Sequence, residues 1–244
     1  SNAKHSKRIS HETQHNTDVP GMSGLGSSSA FTVGFLNSLY ALRGEEADKR
    51  RLALDAIHVE QERIKENVGS QDQTAVAFGG FNKIEFGGAK KISVIPMQCD
   101  PRLVSELDRR LLLFFLGYPR NASHVAAEQI RNTPQKQKEL ARMRAMVDEA
   151  ECILASGLRK INDFGTLLHE AWALKRGLSS KITNAFIDET YERARNAGAL
   201  GGKLIGAGGG GCMLLFVPPE NQQRVRAAEK LAHARALSHH QCTP

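Results

Sequence analysis

Apolar positions in this chain recur with two periods, and the change from one to the other divides it into elements. Ala30 to Leu42 is apolar on most faces (Phe31, Val33, Phe35, Leu36, Leu39, Tyr40, Leu42), the pattern of a buried helix, with Gly44 as its stop signal. Glu45 to Lys65 carries Leu52, Ala53, Ala56, Ile57, Val59 and Ile64 at helical spacing among charges. Gly80 to Phe86 alternates and predicts a strand, Gly87-Gly88 a turn, and Lys90 to Pro96 the returning strand. Within Leu103 to Leu116, the run Leu111 to Leu116 predicts a buried strand.

Helical periodicity then dominates. Asn121 to Gln129 begins a helix, and the Thr133-Pro134 break precedes two long amphipathic stretches, Lys136 to Ala155 and Lys160 to Lys175. Trp172, on the apolar face of the second, is a core residue by this reading. Thr183 to Ala197 is helical again. Gly201 to Val217 reads as strand, glycine turn, strand, and Gln222 to Leu237 as a final helix before a frayed end.

Two glycine segments stand out. Val19 to Ala30 runs through Gly21, Gly24 and Gly26 and three serines straight into a helix. The first N–H groups of such a helix lack internal partners and its dipole is positive there, which makes an anion site, most often for phosphate. The Gly-Lys-[Ser/Thr] ending of a Walker A loop is missing, and the glycine spacing is not that of a dinucleotide fingerprint. The second segment is Gly206-Ala207-Gly208-Gly209-Gly210-Gly211, whose four consecutive glycines allow close approach of the backbone to another loop or a ligand.

Composition narrows the classes. The 244 residues are 41% hydrophobic, enough for a sizeable core. The net charge of +7 comes from Lys and Arg scattered among Asp and Glu, with few aromatic residues, so anionic small molecules suit it better than nucleic acid. No apolar run is long enough to span a membrane, and no signal peptide is seen. Four dispersed cysteines fit free thiols in a reducing cytoplasm. Ser1-Asn2-Ala3 has the look of a tag remnant. His11 and His15 have metal-ligand spacing but no third ligand nearby, and read as exposed polar side chains.

The first glycine segment resembles motif 2 of the GHMP kinases, Pro-x-x-x-Gly-Leu-Gly-Ser-Ser, met by Pro20, Gly24, Leu25, Gly26, Ser27 and Ser28. The second resembles their motif 3. The resemblance runs from about Thr17 to Val217. It implies an α+β, two-domain fold: an N-terminal domain like domain 2 of ribosomal protein S5, incomplete here, over residues 4–98, and a ferredoxin-like domain over 99–244. It implies ATP and Mg²⁺ as cofactors. Gly24, Leu25, Gly26, Ser27, Ser28 and Ser29 would wrap the phosphates, with Gly208, Gly209 and Gly210 packed beside them. Ser28 and a helical glutamate would hold the metal, Glu62 by preference over Glu60. Asp72, in what reads as a non-periodic Gly69–Ala75 turn, would orient or deprotonate the acceptor.

The stretches Gly69 to Ala75, Phe78 to Phe86, Gly117 to Ser123 with Glu128-Gln129, and Leu168 to Lys175 are most similar to bacterial D-glycero-D-manno-heptose 7-phosphate kinases. The implied partners are ATP and a sugar phosphate, phosphorylated at the C1 hydroxyl, with a homodimer compatible with the sequence. The alternatives are another kinase of the superfamily (fucokinase, galactokinase or mevalonate kinase) or a non-catalytic phosphate-binding remnant. Two departures are expected: roughly a hundred residues that the family carries before motif 2 are missing, and Leu237 to Pro244 lacks the pattern of a closing strand.

Overall fold

The computed structural model describes residues 24–87, 91–117, 122–230 and 235–236. Pro20, His11, His15, Pro119 and the end after residue 236 lie outside these.

Helix α1 (Ser27–Leu42) starts directly from Gly26, whose φ of 76° is left-handed. It ends in a paired C-cap: Gly44 N–H bonds to Ala41 O at 3.0 Å, and Glu45 N–H to Tyr40 O at 2.9 Å. The expectation of a buried helix needs correcting. Only Ser29 and Val33 are buried, with Leu36 and Tyr40 packed against Leu52 and Ala56. Phe31, Phe35, Leu39 and Leu42 are exposed, because α2 (Lys49–His58) and α3 (Gln71–Phe78) cover a single face of α1.

The start of α2 is set by Asp48, which accepts from Arg51 N–H at 2.7 Å. Its continuation, Val59–Arg63, is a π-helical turn, with Ile64 N–H on Val59 O and Glu66 N–H on Glu60 O. Helix α3 occupies the segment expected to be a non-periodic turn. Thr74 Oγ1 donates to Ser70 O at 2.7 Å, and Asp72 sits in its first turn, where the dipole favours a carboxylate.

Strands β1 (Asn82–Phe86) and β2 (Ile92–Pro96) form the expected antiparallel hairpin. Lys83 Nζ ties it to α6 (Gln137–Ala155) through Glu151 at 2.8 Å and Asp148 at 3.2 Å. Helix α4 (Pro101–Arg110) precedes the buried β3 (Leu111–Phe115). The apolar pattern alone does not predict that helix; its signals are Asp100, which accepts from Arg102 N–H at 2.8 Å, and Pro101 at the first position.

The remaining elements are α5 (Ala122–Asn132), α7 (Ile161–Arg176), α8 (Ala185–Asn196), β4 (Gly201–Leu204), β5 (Cys212–Phe216), α9 (Gln222–Lys230) and β6 (Arg235–Ala236). The antiparallel sheet runs β4-β5-β3-β6, so the chain order is strand, helices, strand, strand, helix, strand. This is ferredoxin-like connectivity. Its closing strand is the two-residue β6, which falls inside the Gln222–Leu237 segment expected to be one helix; that helix is described only to Lys230.

Alternation sorts the sheet's residues by face. Leu112, Phe114, Leu204, Met213 and Leu215 join a core with Tyr191, Ile187 and Trp172, which is 1% exposed, as its position on the apolar stripe predicts. Phe216 faces the other way, with Leu103, Leu107, Leu154 and Ile161. Helix α7 lies directly on β4 because both carry glycine at the crossing. A Cβ on Gly201 would sit 1.9 Å from Gly165 O. Among the described residues, no helix is long and apolar enough to cross a membrane.

Candidate active site

The local fold brings four elements together around Gly26. Gly24 (φ 85°) and Gly26 (φ 76°) turn the chain sharply into α1. The N-cap position is Gly26, which has no side chain to cap the helix, and the first N–H groups of such a helix have no partner within it. A Cβ on Gly26 would stand 3.3 Å from Asp72 Cγ and 3.5 Å from Oδ2. The carboxylate from the first turn of α3 therefore lies against the glycine loop, across a space that only glycine leaves open.

Beneath the loop is a buried polar cluster. Ser29, in the first turn of α1, donates to Glu60 Oε2 at 3.0 Å. Gln73 Nε2 donates to the same oxygen at 2.5 Å. Glu60 is 2% exposed and Gln73 1%. Glu60 Oε1 and Gln73 Oε1 are both buried without a hydrogen-bond partner among the described residues. Glu60 lies four residues after buried Ala56 and continues the inner face of α2, so it is buried, while Glu62 is exposed at the surface. Ser28 is also exposed, and its carbonyl accepts from Thr32 Oγ1 at 3.1 Å.

The second glycine segment is built by other elements. Lys175 Nζ, at the end of α7, donates to Gly206 O at 2.5 Å and Leu204 O at 3.3 Å. Gln129 Nε2 on α5 donates to Ala207 O at 2.6 Å. Gly209 N–H bonds to Ile182 O at 2.7 Å. A Cβ on Gly208 would stand 2.9 Å from Ile182 Cα, and one on Gly209 3.0 Å from Lys181 O.

The 177–184 connection against which the turn packs is fixed in turn by Glu128. That carboxylate accepts from Ser179 Oγ at 2.7 Å, Ser180 Oγ at 3.0 Å and Ser180 N–H at 3.1 Å, with Lys181 Nζ 3.5 Å away. The Ser179 hydroxyl first, then Ser180 and the Lys181 charge, hold its pKa below the usual carboxylate range.

The Leu168–Lys175 stretch thus serves several masters. His169 Nδ1 meets Tyr191 Oη at 2.7 Å, Glu170 pairs with Arg142, Trp172 is core and Lys175 holds the turn. Burial lowers the His169 pKa and pushes the Tyr191 phenol up to about 12.

Gly26, Ser29, Asp72 and Glu60 are therefore assembled in one cluster, whereas Glu62 and Ser28 face outward. Contacts of the Gly206–Gly211 turn include Ile182, Lys181, Val125, Lys175, Gln129 and the Leu116 N–H on Gly211 O. Sequence reasoning gives no role to Gln73, Gln129 or Lys175. All three lie inside stretches singled out for their wording, but a glutamine's partner across the fold leaves no periodic trace.

Comparison with known proteins agrees with this division. The family described as "GHMP kinases N terminal domain" matches residues 3–80, and "GHMP kinases C terminal" matches residues 151–232. A D-glycero-alpha-D-manno-heptose 7-phosphate kinase of Campylobacter jejuni is 33% identical over 216 residues, 87% of this chain and 63% of the relative. A mevalonate kinase of Pyrococcus horikoshii is 29% identical, covering 93% of this chain and 65% of the relative. Among solved structures, a D-glycero-D-manno-heptose 1-phosphate kinase from Bacteroides thetaiotaomicron superposes with a TM-score of 0.61 at 25% identity, over 89% of this chain and 60% of that one. The chain thus spans a little under two thirds of the length of these relatives. The N-terminal match carries the Gly26, Glu60 and Asp72 cluster and the C-terminal match the Gly206–Gly211 turn: the chain belongs to the GHMP kinases.

Proposed function

We propose that this protein transfers the γ-phosphoryl group of ATP to a hydroxyl of a sugar phosphate, and that the acceptor is the C1 hydroxyl of D-glycero-D-manno-heptose 7-phosphate. The observation that carries the chemistry is the Asp72 carboxylate lying against Gly26, at the mouth of an uncapped helix. Similarity to the Campylobacter heptose 7-phosphate kinase supports the acceptor.

Phosphoryl transfer asks little covalent work of a protein; positioning and charge neutralisation dominate. The N–H groups of residues 24–29 bind the phosphate oxygens through the exposed end of the helix dipole. The Gly208–Gly210 backbone closes on the same nucleotide from the C-terminal part, residues 99–244, and so completes a site shared with residues 4–98. Asp72 orients the acceptor hydroxyl and takes its proton. An anomeric hydroxyl is more acidic than an ordinary alcohol, so a carboxylate is base enough.

The residues present also fit a divalent cation. Glu60 is a buried carboxylate with one oxygen that has no hydrogen-bond partner among the described residues, and a hard cation takes such oxygens. Among the described residues no group of three His, Cys, Asp or Glu side chains is close enough to make an all-protein cage. That suits Mg²⁺, which keeps water and phosphate oxygens in its shell. Glu60, rather than Glu62, and the Ser28 hydroxyl would hold it. When bound it would neutralise charge on the β- and γ-phosphates.

The test is product analysis. The protein is incubated with ATP, Mg²⁺ and heptose 7-phosphate, mevalonate, fucose or galactose in parallel, and products are read by phosphorus NMR. A new anomeric phosphate with heptose 7-phosphate alone is the expected result. Faster turnover of mevalonate or of an unphosphorylated sugar would overturn the acceptor. Failure to bind ATP would leave a phosphate-binding remnant.

A further inference from the structure

Gln73 adjoins Asp72 in sequence, yet its side chain turns away from solvent altogether. Its amide lies on Glu60, with Nε2 2.5 Å from Oε2. Ser29 Oγ lies 3.0 Å from that same oxygen. Both donors of the pocket converge on Oε2, and Oε1 receives none.

This asymmetry is chemically specific. A buried carboxylate oxygen without a donor is costly to keep, several-fold more so for a charged group than a neutral one. Two donors spread over the two oxygens would have satisfied the carboxylate better. Stacked on one oxygen, they hold the carboxylate by Oε2 and leave Oε1, among the described residues, without a competing donor. The opposite orientation of the Gln73 amide would set two oxygens 2.5 Å apart, so the N–H must face Glu60.

We propose that Gln73 is a positioning residue for the divalent cation of the phosphoryl-transfer site: its amide, with Ser29, locks Glu60 so that Oε1 is presented to the metal. The inference rests on the reading of Glu60 as the metal carboxylate. Gln73 touches neither nucleotide nor acceptor; it acts through Glu60, as the outer partners of metal ligands do.

The probe is Mn²⁺ with ADP, with the free ion counted by electron paramagnetic resonance and ADP affinity measured separately in a chelator. In Gln73→Leu, Mn²⁺ binding should weaken roughly tenfold or more, the usual scale for a lost outer partner, while metal-free ADP affinity stays unchanged. In turnover assays the deficit should fall on the metal concentration needed for half activity and largely disappear at saturating metal.

Should Gln73→Leu fold poorly, the exchange Glu60→Gln with Gln73→Glu decides. It keeps one amide, one carboxylate and the same net charge in the pocket, so its melting temperature should stay near that of the parent. Its metal binding should fall to the level of Glu60→Gln alone. Parent-like Mn²⁺ binding in Gln73→Leu or in the exchange, with binding lost in Glu60→Gln, would overturn the role of Gln73 and leave Glu60 standing. Unchanged binding in Glu60→Gln would remove Glu60 as the metal carboxylate and this inference with it.

Discussion

The two glycine segments look alike as letters and differ as structures. Around Gly26 the N-cap position carries no side chain, and the Asp72 carboxylate packs close against the glycine. Around Gly208, glycine brings the backbone into contact with its own protein. The turn is held by an ammonium on two carbonyls, an amide on a third, and a backbone bond to Ile182. By the proposed function the first is a receptor surface; the second is fastened to its own protein and would meet the nucleotide only from that fixed position. A glycine-rich sequence reports closeness of approach, and only the fold says whether the thing approached is ligand or protein.

That contrast can be broken in order of expected effect. Gly26→Val adds a β-branched side chain at φ 76° and fills the gap to Asp72. Turnover should fall on the order of a thousandfold, the scale of a lost phosphate-binding donor set, with melting temperature little changed. Unaltered ATP affinity would show that the loop is no cradle.

Asp72→Asn keeps shape and removes charge. We expect kcat to drop about a hundredfold, the scale of a lost general base, with ATP affinity intact. Near-normal turnover would exclude Asp72 from the chemistry.

Gly208→Ala should behave in the opposite sense to Gly26→Val. Its Cβ would press on Ile182 at 2.9 Å and its φ is 111°. The loss should appear in thermal unfolding, about 1–3 kcal/mol, the usual cost of overpacking. If Gly208→Ala left stability untouched, the turn would not be a fastening.

The smallest effect concerns Glu128. Its folded-state pKa is depressed, so its contribution to stability is present above the unfolded value, near about 4.3, and is lost as pH falls through the folded one. The difference in melting temperature between the parent and Glu128→Gln should be visible at neutral pH and shrink steadily below about pH 4. A difference independent of pH would mean that the Ser179 and Ser180 bonds, not the charge, hold the connection.

The C-terminal part is the more legible. The helices read over Lys136–Ala155 and Lys160–Lys175 and the strand–turn–strand of Gly201–Val217 all form, because each hides one apolar stripe or alternates on one sheet. The N-terminal part is harder to read, for different reasons at two places. Helix α1 is apolar on most faces, but burial is a property of what covers a residue, and two helices cover one side. Glu60 continues the Leu52, Ala53, Ala56 stripe four residues on and Glu62 does not, a phase that the Glu62-Arg63 wording overrode in the sequence. Asp72 is marked by its family wording, but the helix carrying it leaves no such mark: its eight residues are too short for periodicity to show.

The unbroken helical run from α2 through the π turn at Val59–Arg63 has a consequence for the chain's tolerance of length changes. Each residue added to or removed from a helix rotates the downstream segment by about 100°. Surface loops absorb such indels at little thermodynamic cost. Within the continuous helical stretch from α2 through Arg63 they are not absorbed, because the helical phase sets which side chain meets Ser29. A single-codon deletion in α2 ahead of Glu60 would rotate Glu60 off Ser29 while leaving every proposed ligand-binding residue in the sequence. This stretch is therefore a ruler: its residue count, as much as its composition, is part of the site.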